Sequence, residues 1–417
     1  MRNDKRISLP KETCGEMITK LKLKNFLSYK EVTINFKEFN VIVGANASGK
    51  TNLSKALITL RSLILGGFNS LEDFDAFMEG HFHRNSPDSE PMIFEIEVEN
   101  PTSIELRDKR KIQFTKHIYL LQLEYSKGVT KEHYYAFEKG SKTPYNILVR
   151  TESEVKFSHN YNPEKPLDEV IESNLLSQVK FHPLVGKSVS PFLMMMTQAF
   201  CNHLYFYSLS PTTIINPSIS RNQKVVSING SNLAGVLQYY KEHNPVVVDS
   251  INEILKRNIP NFVSVGTKAL GANNSYLFYV EEADSKQYML NELSDGTDVY
   301  IAMVTAMVAS QYLDIPEHFR GIMIIEEPER NLHPQLMEEL MDLAKSLTDK
   351  FQIITTTHSS DIVAHLLPED LILLDKSVHG TRAKRVSESK ELDKYLDEFS
   401  LDQIWLNNDL KGGTIDG

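Results

Sequence analysis

The octapeptide GANASGKT, residues 44–51, constrains the fold of this chain more than any other segment. It matches the pattern GxxxxGK[ST] in full, and glycines at these positions allow consecutive backbone N–H groups to surround a phosphate. The preceding run FNVIV predicts a buried strand, and the following TNLSKALITLRSLIL has apolar residues at helical spacing. The sequence therefore predicts a strand, a phosphate-binding loop and a helix in succession. A chance glycine-rich turn is the alternative, and the flanking strand and helix disfavour it.

This loop predicts a site for ATP and Mg²⁺. The N-terminus of the helix carries partial positive charge and faces the phosphates. Lys50 is expected to reach the β- and γ-phosphates, and the hydroxyl of Thr51 is expected to bind Mg²⁺. The residues expected to contact the nucleotide are Gly44, Asn46, Ala47, Ser48, Gly49, Lys50, Thr51 and Asn52.

The segment IMIIEEPERNLHP predicts a second part of the site, because four apolar residues are followed by Glu326 and Glu327. Ligands of open α/β sheets bind at the carboxyl ends of the strands. Neighbouring strand residues point in opposite directions, so the two acids should differ in role. We expect Glu326 to hold Mg²⁺, through a water molecule, and Glu327 to orient the attacking water. Surface charge at a strand end is the alternative interpretation.

His358 ends another apolar run, FQIITTT, one strand further along the chain. An imidazole at this edge can donate to a γ-phosphate, so His358 is a candidate catalytic residue with Lys50 and Glu327. A polar surface histidine is the alternative.

The pentapeptide LSDGT contains Ser294 and Gly296 and precedes a long apolar helical stretch. A serine-capped helix start is an anion-binding shape, and both residues are candidates for nucleotide contact. Alone, the pentapeptide is explained equally well by an ordinary capped helix.

The remaining pattern predicts an α/β protein with a mostly parallel sheet, an antiparallel β subdomain and an inserted helical arm. Alternating stretches at 91–150 predict the antiparallel strands, and 151–199 reads as the helical arm. From residue 291 onwards, helices and strands alternate, which favours a parallel sheet. The predicted divisions are a flexible extension at 1–16, an ATPase lobe at 17–90, the β subdomain and arm at 91–217, and a second ATPase lobe at 218–417.

Composition and net charge narrow the range of binding partners that are expected for this chain. The net charge of −10 and a pI of about 5.8 do not favour a dedicated nucleic-acid binder, although nucleic acid stays open as a partner. No apolar run is long enough to span a membrane, so no membrane contact is expected. Two cysteines make no disulfide framework, which favours a reducing cytoplasm.

Taken together and in this order, GANASGKT, LSDGT, IIEEPERNLHP and TTTHS resemble an ATPase of the ABC superfamily. More narrowly, the chain resembles the RecF/SMC-like and OLD-like group known as AAA-type ATPases of prokaryotic anti-phage defence systems. The opening LKLKNFLSYKEVTINF, the segment SNLAGVLQYY and the closing SLDQIWLNNDLKGG carry this narrower resemblance.

The resemblance implies a head-to-tail homodimer, with higher oligomers left open, that holds two ATP molecules between its subunits. Ser294 and Gly296 of one subunit would face the ATP bound by the other, and residues 331–333 would match the D-loop. In each site the other subunit would contribute Lys50, Thr51, Glu326, Glu327 and His358.

The chain departs from the family pattern at two places. Glu326 stands where the family has a metal-binding aspartate, and no glutamine follows the strand LYFYS, where the family has its glutamine loop. Gln198, which precedes that strand, is a poor substitute. The residue that stacks on adenine is not identified by the sequence. Phe26 and Tyr29 are the candidates, and the alternative is that both belong to the core.

Three functions follow from the resemblance. The favoured one is a regulatory ATPase of a phage-defence module that controls a separately encoded effector, because the segment after His358 is too short for the Toprim nuclease domain of OLD proteins. The alternative is a DNA-stimulated ATPase of repair or chromosome maintenance. A transporter subunit is disfavoured by the insertion at 91–217.

Overall fold

The structure is a computed structural model that describes residues 17–388 with short gaps. The gaps are 67, 69, 100–102, 106–110, 152–153, 158–168, 173–196, 220–221, 271–274, 284–285, 290–291, 317–318, 331 and 379. The predicted extension at 1–16, most of the predicted helical arm and the closing segment lie outside the described residues. Within the arm, the described segments 154–157 and 169–172 are strands, so the helical prediction is wrong there, because both segments extend an antiparallel sheet by pairing with their neighbours. The chain divides into two compact units, each of which is described by itself.

The first unit comprises Met1–Lys37, Thr59–Asn202 and Pro316–Arg320 and contains a nine-stranded antiparallel sheet. Its strands are β1 (Met17–Phe26), β2 (Tyr29–Asn35), β4 (Met92–Glu99), β5 (Ser103–Glu105), β6 (Lys111–Glu124), β7 (Gly128–Glu138), β8 (Tyr145–Arg150), β9 (Glu154–Phe157) and β10 (Glu169–Glu172). The order is β10-β9-β8-β7-β6-β4-β1-β2, and β5 pairs with β6. Helix α2 (Leu71–His81) and a π-helical turn (Thr197–Asn202) complete it.

Strand β1 illustrates why this sheet forms. Leu21 and Leu23 are fully buried, while the lysines that alternate with them, Lys20, Lys22 and Lys24, face outward. Such alternation is the pattern of a sheet with one face on a core and one in solvent. The outward lysines meet acids of the neighbouring strands or the loop before β4, in the pairs Lys20–Glu97, Lys22–Glu31 and Lys24–Glu90.

The second unit comprises Glu38–Ile58, His203–Ile315 and Gly321–Gly417 and contains a six-stranded mixed sheet. Its strands are β3 (Phe39–Val43), β11 (Leu204–Tyr207), β16 (Gly321–Glu326), β17 (Phe351–Thr357), β18 (Leu371–Ser377) and β19 (Gly380–Arg385). The order is β11-β16-β17-β3-β18-β19. The first five strands run parallel, and β19 pairs antiparallel with β18.

The second unit also contains helices and a small sheet, and the helix that follows β3 continues from Thr59 in the first unit. The helices are α1 (Lys50–Leu65), α3 (Pro211–Ile214), α4 (Leu233–His243), α5 (Pro245–Asn258), α6 (Asp295–Ser310), α7 (Pro334–Ser346) and α8 (Ser360–Ala364). The small antiparallel sheet consists of β12 (Ser218–Ile219), β13 (Phe262–Leu270), β14 (Ser275–Glu282) and β15 (Gln287–Met289). Short 3₁₀ turns lie at Pro368–Asp370 and Val386–Glu388. One core cluster joins the inner faces of β3, β16 and β17 to α6, which is buried along almost its whole length.

The α/β class and the antiparallel β region agree with the sequence expectation, but a mostly parallel sheet is not confirmed. The largest sheet is antiparallel and the six-stranded sheet is mixed. The expectation came from the alternation of helices and strands after residue 291, whereas the earlier part of the chain contributes the large antiparallel sheet. The predicted domain limits stay a prediction. Among the described residues, no helix combines the length and apolar character needed to cross a membrane.

Candidate active site

The parallel strands β16, β17 and β3 bring the predicted site segments to one edge of the sheet. Thr357 pairs with Val43, the last residue before the phosphate loop. Thr356 pairs with Glu326 at the end of β16. Because parallel strands end on the same side, the loops that begin at residues 44, 327 and 358 leave the sheet next to one another.

The phosphate loop is shaped by residues with little or no side chain. A Cβ on Gly44 would lie 2.4 Å from the carbonyl oxygen of Leu374 and 2.6 Å from Oγ of Ser48, so only glycine fits. Gly49 has a φ of 110°, which favours glycine, and Ala47 also has a left-handed φ of 63°. The hydroxyl of Thr381 donates to the backbone oxygen of Ser48 at 2.9 Å, which fastens the loop to β19.

Lys50 lies within this loop and is 5% exposed. Its Nζ donates to the backbone oxygens of Gly44 at 2.7 Å and Ala45 at 3.1 Å, and lies 3.3 Å from Nδ1 of His358. Burial lowers the pKa of Lys50 to about 8, and the negative charges of Glu327 and Glu329 oppose that shift. The ammonium group thus occupies the middle of the loop, held by carbonyl oxygens.

These contacts determine the tautomer of His358. A protonated lysine has only donors, so Nδ1 of His358 accepts from Lys50. The ring proton then resides on Nε2, which donates to Oε1 of Glu327 at 3.2 Å. The structure thereby brings together the three predicted catalytic residues, in the order Lys50, His358, Glu327.

Glu327 and Glu326 have different surroundings, as their adjacent positions on a strand end require. The second oxygen of Glu327, Oε2, meets the guanidinium of Arg330 at 2.9 Å. Its backbone has a φ of 43° and its N–H donates to the carbonyl oxygen of Thr356 at 3.0 Å. Both carboxylate oxygens of Glu327 are therefore engaged.

Glu326 is half-buried, and its Oε1 is buried without a hydrogen-bond partner among the described residues. Burial raises the pKa of Glu326, and the nearby hydroxyl of Ser54 on α1 opposes the shift. A buried acceptor without a partner is uncommon in proteins and carries a free-energy cost. An oxygen in this state fits a hard cation or its bound water, which is what a magnesium site requires.

Glu329 joins the site although the sequence reasoning did not single it out. Its Oε1 accepts from the backbone N–H of His358 at 2.6 Å and from the hydroxyl of Thr357 at 2.9 Å. The only signal in the sequence is its place two residues after Glu327, in the run EEPE. Pattern alone does not distinguish it from a surface acid.

Ser294 caps α6, as predicted. Its Oγ accepts from the backbone N–H of Thr297 at 3.2 Å and lies 2.9 Å from the Thr297 hydroxyl. Ser294 is exposed and Gly296 is buried. Among the described residues, these contacts stay within the helix start and do not reach the phosphate loop of the same chain. Burial, and then the charge of Asp295, raises the pKa of Asp298 in the same turn to about 7.

The two candidates for adenine stacking are wrong. Phe26 and Tyr29 have no exposed surface, so neither ring is open to a ligand. The two residues pair with each other where β1 turns into β2, and Phe26 packs against Phe94 and His81 of the first unit. In the second unit, the loop after β11 is held by Ser208 N–H, which donates to the carbonyl oxygen of Ile228 at 2.8 Å. The expected position of the glutamine loop is thus occupied by LSP.

Two family models match the chain. Residues 17–188 match the model described as "AAA ATPase domain". Residues 220–364, which contain LSDGT, the carboxylate pair and His358, match the model described as "AAA domain, putative AbiEii toxin, Type IV TA system". The chain is an ATPase.

Solved structures with a similar fold are SMC heads. The ATPase matches an SMC head bound to the C-terminal winged-helix domain of ScpA at 14% identity and a TM-score of 0.51, over 90% of this chain and 99% of that one. It also matches an SMC head with an extended coiled coil, bound to the C-terminal domain of ScpA from Pyrococcus furiosus, at 13% identity and a TM-score of 0.50, over 92% and 100% of the two chains. The fold of the ATPase is therefore SMC head-like.

Proposed function

We propose that this chain is an ABC-type ATPase that binds ATP with Mg²⁺ between two head-to-tail subunits and hydrolyses it. The observation that carries the proposal is the contact series from Lys50 through His358 to Glu327 beside the phosphate loop. It supports a phosphate-binding lysine, a γ-phosphate sensor and a base in one place. Phosphoryl transfer depends mainly on such positioning and charge neutralisation.

Magnesium would be held by the hydroxyl of Thr51 and, through water, by Glu326. The buried and unpartnered Oε1 of Glu326 supports this assignment. The longer glutamate, in place of the family aspartate, keeps the carboxylate at the helix start, where Ser54 and Lys55 influence its pKa. The ion would neutralise charge on the phosphates and orient them.

The protein groups would exchange partners when a triphosphate enters. Lys50 would leave the carbonyl oxygens of Gly44 and Ala45 for phosphate oxygens. His358 would then be free to turn its ring toward the γ-phosphate. This movement would release Oε1 of Glu327, which could accept a proton from, or orient, the attacking water.

The second half of each site would come from the partner subunit. Ser294 is exposed at the N-terminus of α6 and contacts only its own helix start among the described residues, which supports a role toward another subunit. Gly296 follows within the same turn, and segment 331–333 would form the D-loop. ATP would close the dimer and hydrolysis would release it.

The test uses Glu327→Gln and Lys50→Ala. Glu327→Gln should bind ATP with near-parent affinity, lose hydrolysis at least about a hundredfold, and elute as an ATP-dependent dimer. Lys50→Ala should lose ATP binding and stay monomeric. Hydrolysis at the parent rate in Glu327→Gln would show that this residue is not the base.

For its biological role, we propose a cytoplasmic regulatory ATPase of an anti-phage module that controls a separately encoded effector. The match of residues 220–364 to a model described by a toxin–antitoxin system supports this reading. The purified chain alone should not cleave DNA or RNA. Metal-dependent cleavage that survives in Glu327→Gln would contradict the proposal of a separate effector.

The SMC head-like fold favours one alternative, a DNA-stimulated ATPase of repair or chromosome maintenance. The lysines of β1 count against it, since each is paired with an acid and leaves little net positive charge on that face. Duplex DNA that raises the ATPase rate several-fold, with binding that weakens steeply in salt, would favour the alternative.

A further inference from the structure

Glu329 connects two loops of the site through one carboxylate oxygen. Oε1 accepts the backbone N–H of His358 at 2.6 Å and the hydroxyl of Thr357 at 2.9 Å. The Thr357 hydroxyl oxygen in turn accepts the backbone N–H of Ser359 at 2.9 Å. Three consecutive residues are thus held at the point where β17 ends and α8 has yet to begin.

These hydrogen bonds restrain the backbone of His358, whose side chain contacts both Lys50 and Glu327. A backbone N–H bonded to a carboxylate makes a short, charge-assisted hydrogen bond, which restrains the φ and ψ angles around it. The side chain of His358 leaves the backbone at this restrained position. Its ring nitrogens lie 3.3 Å from Nζ of Lys50 and 3.2 Å from Oε1 of Glu327.

The carboxylate of Glu329 is held from one side only among the described residues. Its Oε2 is buried and has no hydrogen-bond partner there. The contacts of Oε1 with the His358 loop are therefore the ones that a substitution of Glu329 would remove.

We infer that Glu329 is a positioning residue: through the two hydrogen bonds that its Oε1 accepts, it holds the His358 loop in register with the carboxylate pair. The inference rests on the proposed role of His358. It assigns Glu329 no contact with the nucleotide. The positioning needs only an acceptor oxygen at this place, so a glutamine should supply it.

The experiment compares Glu329→Ala, Glu329→Gln, His358→Ala and the double variant Glu329→Ala/His358→Ala in the full chain. Glu338→Ala is a matched control, because Glu338 is an exposed acid that lies 3.9 Å from another histidine, His365. Steady-state hydrolysis gives kcat and KM, and a fluorescent ATP analogue gives Kd at pH 7.

Glu329→Ala should lower kcat about tenfold to a hundredfold while changing the Kd for ATP only a few-fold at pH 7. The double variant should be no slower than His358→Ala, because both substitutions remove the same function. Glu329→Gln should retain kcat within about threefold, since its amide oxygen accepts both hydrogen bonds.

The outcomes separate the two ideas. His358→Ala with parent kcat would overturn the proposed role of His358 and this inference with it. If kcat falls in His358→Ala but stays at the parent value in Glu329→Ala, the inference alone is overturned. The same holds if the losses of kcat in the two single variants multiply in the double variant. If Glu329→Ala does not fold, Glu329→Gln decides. A kcat of Glu329→Gln as low as that of His358→Ala would refute the inference.

Discussion

ATP binding should weaken between pH 7 and pH 9, because Lys50 loses its proton in this range. Burial in the phosphate loop lowers the pKa of Lys50 to about 8, whereas an exposed lysine titrates at about 10.4. The charged form is the one that phosphates bind. The nucleotide-free protein therefore loses its ability to bind ATP as Lys50 gives up its proton, at a pH that is unusually low for a lysine.

The magnitude follows from the fraction of protonated Lys50. With a pKa of about 8, roughly nine-tenths is protonated at pH 7 and roughly one-tenth at pH 9, so the apparent Kd should rise about tenfold. This corresponds to about 1.4 kcal/mol of binding free energy. A lysine with an ordinary pKa would change the apparent Kd by only a few per cent over the same range.

The assay is equilibrium titration with a fluorescent ATP analogue and Mg²⁺ at constant ionic strength, from pH 7 to pH 9.5. Lys50→Arg is the matched variant, because a guanidinium stays charged throughout and should give a pH-independent, though weaker, Kd. Asp298→Asn removes the other group of the site region whose pKa lies near this range. A Kd that stays constant in the parent would refute the reasoning that Lys50 is buried and must be charged to bind.

Two further predictions concern packing and buried charge. Gly44→Ala should weaken ATP binding at least tenfold and lower the free energy of unfolding by about 1–3 kcal/mol, because its Cβ meets the Leu374 carbonyl oxygen. Gly80→Ala in α2, where a Cβ meets nothing within 4 Å, is the control and should be neutral or stabilising, so equal losses would contradict the argument. Asp298→Asn should raise the free energy of unfolding at pH 8 by about 1–3 kcal/mol and change nothing at pH 4. The sign follows because the folded-state pKa of about 7 exceeds the unfolded value of 3.8, so stability is lost as pH rises through 7. Urea unfolding at both pH values measures this, and a benefit confined to pH 4 would show the sign to be wrong.

The sequence was most informative where local chemistry decides the structure. Three segments each require a particular backbone conformation: the phosphate loop with its glycines and Lys50, the apolar run before Glu326, and the serine before α6. The structure has a loop, a strand end and a helix start at these three places. Parallel pairing then brings Lys50, His358 and Glu327 together.

The features that the sequence did not predict depend on tertiary approach. Glu329 meets the His358 backbone across 29 positions of chain, and no periodicity marks such a contact. The burial of Phe26 and Tyr29 depends on which face of the first unit is covered, which a single sequence does not state. The six-stranded sheet is mixed because β19 pairs antiparallel with β18. No sequence pattern in β19 indicates this direction.

The place of β3 in its sheet has a consequence for synthesis on the ribosome. Asn40 on this strand donates to the backbone oxygen of Ile353, which is translated 313 residues later. Both strands that flank β3 come from the last part of the chain. A nascent polypeptide therefore carries its phosphate-loop strand without these neighbours until more than 300 further residues have been made, and long-range pairing of this kind is slow and prone to aggregation. Nucleotide capture becomes available only after β17 and β18 have left the ribosome.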